Sequence, residues 1–252
     1  MPTEHRISKQ PPSLTTGFPV VVVSGGPPPD RRVQRVLPSS AHVIVADFGY
    51  VHARAMGLTV NDLVGDFDSL SVEQVRDAEA DGTKVHRHPT DKDATDLELA
   101  LELAISLEPS EITVVCGADV GDRFDHVASQ LGLFASPLFA SFNLTVWIGP
   151  SFVVPVHPGK PRSLRGAIGE IVSLLAIGGV AQGVRTTGLR YPLHAEPVSP
   201  FLTRTTSNEF AAEAASISVE EGVLLAIMPD ALASTGHACG ALTRNADIGS
   251  GR

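Results

Sequence analysis

Cysteine, surplus positive charge and long apolar runs are all scarce in this 252-residue chain. Its two cysteines, Cys116 and Cys239, are too few for a disulfide framework and are not spaced as metal ligands. The net charge of -9 argues against general nucleic-acid binding, because phosphate backbones attract surplus Lys and Arg. No stretch approaches the roughly 18 uninterrupted apolar residues of a membrane helix, and no apolar segment near the N-terminus resembles a signal peptide. We therefore expect a cytoplasmic protein that binds neither nucleic acid nor membrane.

Short β-branched runs alternate with helical patterns between residues 19 and 150. Near-continuous runs of this kind are typical of parallel strands that helices cover on both faces. The alternation predicts a doubly wound α/β domain over 19–150, with a mostly parallel sheet. The expected strands are residues 20–23, 42–46, 62–64, 84–86, 112–116 and 144–148.

Two helix starts carry capping sequences. Residues 71–74 (SVEQ) and 95–98 (TDLE) both fit a capping box, in which a side chain caps the amide three residues on. The helix expected at about 96–107 is apolar nearly all round, with a single narrow polar stripe. Such a helix is expected to be deeply packed.

After residue 150 the pattern changes to short apolar segments separated by glycine and proline. No long helical period occurs, so a small antiparallel β domain is predicted over 151–228. Residues 1–18 and 229–252 are expected to be flexible tails, the second being rich in Ala, Gly and Ser.

Acidic residues follow successive predicted strands of the first domain. Asp47 follows the second strand, Asp66 and Asp68 the third, residues 91–96 the fourth, and residues 119–125, beginning with Asp119, the fifth. Ligands of open parallel sheets collect at the carboxyl ends of the strands. These distant loops are therefore expected to converge on one edge of the sheet.

The aspartate-rich stretches 65–69 (GDFDS) and 91–96 (DKDATD) predict a magnesium–nucleotide site. Crowded carboxylates repel one another and tend to take up protons unless a cation shares the site. Oxygen ligands without His or Cys suit a hard ion such as Mg²⁺, which commonly bridges carboxylates to substrate phosphates. The alternative is that these residues are helix caps and turn residues, positions where Asp is also favoured.

Residues 121–126 (GDRFDH) combine a cation, carboxylates and an imidazole. Arg123 suits the clamping of a phosphate through its planar guanidinium. Asp125 suits hydrogen bonding to a substrate amine or hydroxyl, and His126 suits either orienting its neighbours or touching substrate. A surface turn is the alternative for the whole stretch.

Together these stretches resemble the thiamine pyrophosphokinase family. The matching segments, whose order and spacing agree over roughly 20–227, are 46–49, 64–69, 91–96, 121–126, 187–193 (TGLRYPL) and 206–209 (TSNE). The resemblance implies an α/β domain for Mg-ATP, a C-terminal antiparallel β-sandwich for thiamine and dimerisation, and a homodimer with active sites between subunits. It also implies an ATP-dependent transferase that carries pyrophosphate to the hydroxyl of thiamine, giving thiamine diphosphate and AMP.

The resemblance further implies a role for each matching residue. The metal ligands would be Asp66, Asp68, Asp91, Asp93 and Asp96. The nucleotide side would comprise Asp47, Asp66, Asp91, Thr95 and Arg123. The catalytic residues would be Asp68, Asp93, Asp96 and Arg123. The thiamine side would comprise Asp125, His126, Ser207 and Asn208, of which the last two would come from the partner subunit.

Two other functions stay open at this point. A pyrophosphokinase acting on another alcohol, such as a hydroxymethyl pterin, would use the same donor site. A catalytically silent nucleotide- or thiamine-binding regulator would bind ligands without turnover, although a sensor would not need five retained carboxylates. The sequence also leaves open which of Asp68, Asp93 or Asp96 would accept the proton of the hydroxyl.

Overall fold

A computed structural model of the chain describes residues 17–118 and 123–233. Most of the two predicted tails, together with Asp119 and Cys239, lies outside these ranges. Within them, no helix is long and apolar enough to cross a membrane.

Six parallel strands form one half of a large sheet. They are β1 (Pro19–Val23), β2 (His42–Ala46), β3 (Asp62–Gly65), β4 (Lys84–Arg87), β5 (Glu111–Cys116) and β6 (Leu144–Ile148). Each lies where a β-branched run predicted a strand, to within one residue at either end. Their order across the sheet is β6-β5-β1-β2-β3-β4, and every neighbouring pair is parallel. The strand order therefore reverses between β1 and β5.

Helices cover both faces of this parallel region. In the described ranges the α-helices are α1 (Gly49–Ala55), α2 (Val72–Ala80), α3 (Asp96–Ser106) and α4 (Phe124–Phe134). The face that carries Val21 and Val45 shares a core with α1 and α2, whereas the face that carries Val20 and Val22 shares one with α3 and α4. Successive strand side chains point to opposite faces, so the β-branched runs supply both cores. The predicted doubly wound domain is confirmed.

Capping side chains begin two of these helices. At α2 the predicted capping box is complete, because Gln74 N donates to Ser71 Oγ (3.2 Å) and Ser71 N donates to Gln74 Oε1 (2.8 Å). At α3, Glu98 N donates to Thr95 Oγ1 (3.2 Å). The reciprocal bond, from the Thr95 amide to the Glu98 side chain, is not formed in the described structure. The second capping box is therefore incomplete. Glu98 is one of the residues that line a cleft at this end of the sheet.

Helix α3 runs from the edge strand β4 back across the centre of the sheet and packs against β1, β2 and β3. Its buried residues are Leu97, Ala100, Leu101 and Ala104. The prediction of a deeply packed helix is confirmed. The crossover also carries the acidic loop before α3 over the carboxyl ends of the neighbouring strands.

The second half of the chain is antiparallel. Its strands are β7 (Ser151–Val156), β8 (Arg162–Arg165), β9 (Ile171–Ala176), β10 (Ala181–Thr187), β11 (His194–Val198), β12 (Asn208–Glu209), β13 (Ala214–Ser218) and β14 (Leu224–Met228). Strand β7 pairs with β6, and β14, β9 and β12 continue the same ten-stranded sheet. The others form a separate sheet in the order β11-β10-β13-β8.

These two sheets share one apolar core in the second half of the chain. Val154 and Leu174 of the large sheet cluster with Leu164, Val184 and Ile217 of the small one. The predicted antiparallel sandwich is therefore present, and it is joined to the α/β region by a continuous sheet. The predicted division at residues 150 and 151 falls in the turn between β6 and β7 and stays a prediction.

Candidate active site

A cleft of about 510 Å³ opens where the strand order reverses. This is the position at which open α/β sheets bind their ligands. The backbones of two loops meet there, since a Cβ added to Gly117 would lie 2.2 Å from the carbonyl oxygen of Pro27. A side chain at Gly117 would therefore push apart the loops that follow β1 and β5.

Residues from five parts of the chain line this cleft. They come from the loop 24–27, the end of β2, the loop after β3, the segment 90–98 and the region from β5 into α4. The predicted site residues among them are Asp47, Asp68, Thr95, Asp96, Arg123 and His126. The expected convergence of distant loops is confirmed for these six. Residues 24–26 (SGG) also line the cleft, although as a motif they are too short to indicate nucleotide binding on their own.

A cluster of carboxylate oxygens lies at the cleft, with Asp47, Asp68 and Asp96 in the cleft lining and Asp66 beside them. Asp47, Asp66 and Asp68 each offer an oxygen within 4.8 Å of the others. Asp47 Oδ1 is buried and has no hydrogen-bond partner in the described structure, and such an atom calls for a ligand or ion. Asp96 Oδ1 is also buried, and its one partner in the described structure is an ion pair with Lys92 Nζ (3.2 Å). Oxygen-only donors of this kind suit a hard divalent cation. We call Asp47, Asp66, Asp68 and Asp96 the acidic cluster.

Unusual backbone conformations bring these acids together. Asp47 has a φ of 47°, which turns the chain sharply at the end of β2. Its amide donates to Val64 O of the neighbouring strand (2.8 Å). Gly65 has a φ of 154°, and a Cβ there would lie 3.3 Å from Asp47 Cβ and 3.4 Å from Asp96 Oδ1. Phe67 has a φ of 65°. Left-handed non-glycine residues are costly and concentrate at functional sites.

Hydrogen bonds hold the loop after β3 in place. Ser69 Oγ donates to Asp47 Oδ2 (2.5 Å), and Asp68 N donates to Asp66 Oδ1 (3.2 Å). Arg87 donates to the carbonyl oxygen of Asp66 (3.2 Å) and places its guanidinium 4.6 Å from the centre of the Phe67 ring. Ser69 lies within the GDFDS run, but the sequence pattern predicts no role for it. Nothing local marks Arg87, which reaches the loop from the neighbouring strand.

The acidic cluster perturbs the protonation of its own members. Burial is the main cause that raises the pKa of Asp47; the bond from Ser69 opposes it, and the charges of Asp96, Asp68 and Asp66 add to it. Burial also acts to raise the pKa of Asp66, but the Asp68 amide and the Lys92 ammonium outweigh it, so that this pKa is lowered. The Asp68 amide and the Lys92 ammonium thus favour the ionised form of Asp66, whereas burial and the neighbouring carboxylates disfavour the ionised form of Asp47.

Lys92 is a further site residue that the sequence pattern did not predict. Its Nζ lies 3.1 Å from Asp66 Oδ2 and 3.2 Å from Asp96 Oδ1. Its signal in the sequence is its position inside the DKDATD run, between two aspartates. Its neighbours Asp91 and Asp93 are exposed and belong neither to the oxygen cluster nor to the cleft lining. Their metal-binding roles stay predictions.

Arg123, Asp125 and His126 form a polar group at the start of α4. Arg123 donates to both carboxylate oxygens of Asp125 (3.2 and 3.1 Å) and contacts the His126 ring. Half or more of each side chain is exposed. Arg123 and His126 line the cleft, whereas Asp125 does not. The arrangement leaves a solvent-accessible guanidinium at the mouth of the cleft.

Ser207 and Asn208 lie in the second half of the chain, outside the cleft lining. Asn208 is buried; its Oδ1 accepts from Tyr191 N (3.0 Å) and Glu209 N (2.9 Å), and its Nδ2 donates to Tyr191 O (2.8 Å). Its amide is thus committed to holding the loop around Tyr191. Ser207 is exposed, with a φ of 57°. Their roles on the thiamine side stay predictions.

Known proteins match both halves of the chain. The thiamine pyrophosphokinase of Bacillus subtilis (strain 168) is 24% identical over 184 residues, which is 73% of this chain and 85% of that protein. The solved structure of thiamine pyrophosphokinase from Bacillus subtilis superposes with a TM-score of 0.71 at 23% identity, covering 83% of this chain and 98% of that one. For the yeast enzyme the TM-score is 0.66 at 13% identity, with coverage of 86% and 89%.

Two domain models of one family match in the order that the sequence analysis expected. Residues 33–147 match the model described as "Thiamin pyrophosphokinase, catalytic domain". Residues 162–224 match "Thiamin pyrophosphokinase, vitamin B1 binding domain". Because the two models together match most of the chain, the chain belongs to the thiamin pyrophosphokinase family.

Proposed function

We propose that this chain transfers the pyrophosphoryl group of ATP to the hydroxyl of thiamine, giving thiamine diphosphate and AMP. The observation that carries the proposal is the acidic cluster, of which Asp47, Asp68 and Asp96 line a cleft at the reversal point of the sheet. A nucleotide polyphosphate is the ligand that such oxygens bind through a shared metal ion. The match of residues 162–224 to a vitamin B1 binding domain supports thiamine as the acceptor.

The proposal includes Mg²⁺ as cofactor, with ATP as co-substrate. Asp66, Asp68 and Asp96 would hold the ion, and the exposed Asp91 and Asp93 would complete the set predicted from the sequence. When bound, the ion would neutralise negative charge on the polyphosphate and on the departing phosphate. The buried Oδ1 of Asp47, which has no hydrogen-bond partner in the described structure, and the raised pKa of Asp47 support a cation here, since both reflect a carboxylate short of positive charge.

The residues of the chain would act by positioning and by accepting a proton. The hydroxyl oxygen of thiamine bonds to the β-phosphorus, and the bond from that phosphorus to the oxygen of the α-phosphate breaks, so that AMP leaves with the oxygen. The hydroxyl proton passes to a carboxylate. Asp68 and Asp96 line the cleft whereas Asp93 does not, which favours the first two as acceptors. Arg123 would clamp phosphate oxygens at the cleft mouth.

The thiamine side would be built by two subunits. Thiamine carries a cationic thiazolium, which tolerates neighbouring carboxylates. Asp125 and His126 would face it from one subunit, and Ser207 and Asn208 of the partner subunit would complete the pocket. Neither of the last two lines the cleft of its own chain, which is the arrangement that a pocket between subunits requires. We therefore propose a homodimer. We also propose a cytoplasmic location.

The test is an acceptor assay. The purified chain is incubated with Mg-ATP and thiamine, and AMP and thiamine diphosphate are followed by chromatography. We expect stoichiometric formation of both products, and no AMP above a thiamine-free blank would overturn the proposal. A hydroxymethyl pterin offered in place of thiamine tests the other acceptor class. Saturable thiamine binding without AMP release would instead identify a silent regulator.

A further inference from the structure

Lys92 places a positive charge inside the acidic cluster. Its ammonium bridges Asp66 Oδ2 (3.1 Å) and Asp96 Oδ1 (3.2 Å), and only 15% of its side chain is exposed. In the described structure it is the one Lys or Arg that forms an ion pair with a member of the cluster. Lys92 also lines the cleft.

We propose that Lys92 is a displaceable internal counter-ion: without metal it neutralises Asp66 and Asp96, and when a divalent cation takes these oxygens its ammonium moves into the cleft and binds nucleotide phosphate. The inference rests on the proposed function, because it assumes that the cleft receives a metal–nucleotide complex. It assigns to Lys92 a role distinct from that of Arg123, which lies at the cleft mouth.

The first step of the inference is that Lys92 and a metal ion compete for the same oxygens. Asp66 belongs to the group of carboxylates with oxygens within 4.8 Å of one another. Asp96 Oδ1 is buried, and the Lys92 ammonium is its one partner in the described structure. A divalent ion would sit about 2.1 Å from such oxygens. Nζ in its observed position would then lie within a few ångströms of a second cation, and like charges this close repel strongly.

The second step is that the side chain has somewhere to go. Lysine carries its charge on a flexible four-carbon stem whose donors can be re-aimed. The cleft is the open volume that Lys92 already borders. In that volume the ammonium would meet nucleotide phosphate oxygens, which are the ligands that lysine binds as a point charge.

Competition followed by relocation makes metal and nucleotide binding interdependent. A free divalent cation must displace Lys92 without compensation, so its affinity is held down. A metal–nucleotide complex supplies phosphate oxygens as a new partner for the displaced ammonium. The new contact offsets the cost of displacing Lys92, so the complex binds more tightly than the free cation does. By linkage, nucleotide then raises the affinity for metal and metal raises the affinity for nucleotide by the same factor.

The experiment measures Mn²⁺ binding to the full chain by electron paramagnetic resonance, with no acceptor and no nucleotide. The variants are Lys92→Met, which removes the charge at similar length, and Lys92→Arg, which keeps it. Lys84→Met removes the charge of an exposed lysine on β4 and is the matched control. We expect Lys92→Met to bind Mn²⁺ about tenfold more tightly than the wild type, with the other two unchanged. An unchanged or weaker Mn²⁺ affinity in Lys92→Met would overturn the proposal.

A second arm adds an ATP analogue with a methylene bridge between the α- and β-phosphates. In the wild type the analogue is expected to raise the affinity for Mn²⁺, and in Lys92→Met this rise should largely vanish. An equal rise in both proteins would overturn the relocation step. Melting in EDTA checks folding, and Lys92→Gln replaces the methionine variant if the latter is unfolded. Neither arm uses thiamine, so failure of the AMP assay and failure of this inference are separate results.

Discussion

Ser69 Oγ donates a 2.5 Å hydrogen bond to Asp47 Oδ2 across 22 positions of the chain. The bond joins the loop after β3 to the end of β2 and occupies one oxygen of Asp47. The other oxygen, Oδ1, stays buried and unpartnered in the described structure. The hydrogen bond fixes the position of Asp47 relative to the loop, and oxygens held in place in this way lose less conformational freedom when they bind a ligand.

Replacing Asp96 with Asn should abolish turnover and leave the fold intact. The change keeps the shape of the side chain but removes a carboxylate that lines the cleft beside Lys92. We expect kcat for AMP release to fall by at least about a hundredfold, the scale of losing a principal electrostatic contact. Asp77→Asn, on an exposed position of α2, is the control. If Asp96→Asn keeps its activity, the metal has been placed wrongly.

Asp47→Asn should stabilise the metal-free protein at neutral pH. The pKa of Asp47 is raised above 3.8 in the fold, so the folded state binds more protons than the unfolded state just above that pH, and stability falls as pH rises through this window. Asparagine does not ionise, so at pH 7 the free energy of unfolding of Asp47→Asn should exceed that of the wild type by on the order of 0.5 kcal/mol. This difference disappears below the ordinary carboxyl pKa of 3.8. Urea unfolding in EDTA at pH 7 and pH 3 measures the difference. Equal stability of the two proteins at pH 7 would contradict it.

Gly117→Ala should destabilise the protein by about 1–3 kcal/mol, the usual cost of overpacking. The new methyl group would meet the Pro27 carbonyl, which is backbone and has little freedom to move away. Gly132→Ala is the control, because a Cβ at this helical position meets no atom within 4 Å. This variant should be more stable than the wild type by about 0.5–1 kcal/mol, since alanine favours the helix more than glycine does. Urea unfolding of both variants checks the prediction. If the unfolding free energies of both variants changed in the same direction, the close approach of the loops would be refuted.

Asn208→Ala should cost about 1–3 kcal/mol of stability, because it removes a buried amide that forms three hydrogen bonds with the backbone of Tyr191 and Glu209. Ser207→Ala should change stability by less than about 0.5 kcal/mol, since its side chain is exposed. If Ser207 of the partner subunit contacts thiamine, Ser207→Ala raises KM for thiamine at unchanged melting temperature. Urea unfolding and thiamine titration together separate the two roles.

Local patterns were enough to predict the elements of the α/β half. The β-branched runs and the Ser71 cap mark the ends of strands and helices because propensity and capping act over a few residues. The same local information indicated that Asp47, Asp68, Asp96 and Arg123 would share one edge, since parallel strands place their carboxyl ends together. The family followed from the order of these motifs.

Tertiary structure alone decided what occupies the acidic cluster and what supports it. The sequence places Lys92 among aspartates but does not show that its ammonium bridges Asp66 and Asp96. Nor does it show that Arg87 holds the loop after β3 by a hydrogen bond, or that the side-chain amide of Asn208 bonds to the backbone of Tyr191. These contacts join residues from separate strands and loops, and their geometry depends on strand pairing across the sheet. The chain by itself determined which chemical groups reach the site, and the pairing of distant segments determined which of them touch.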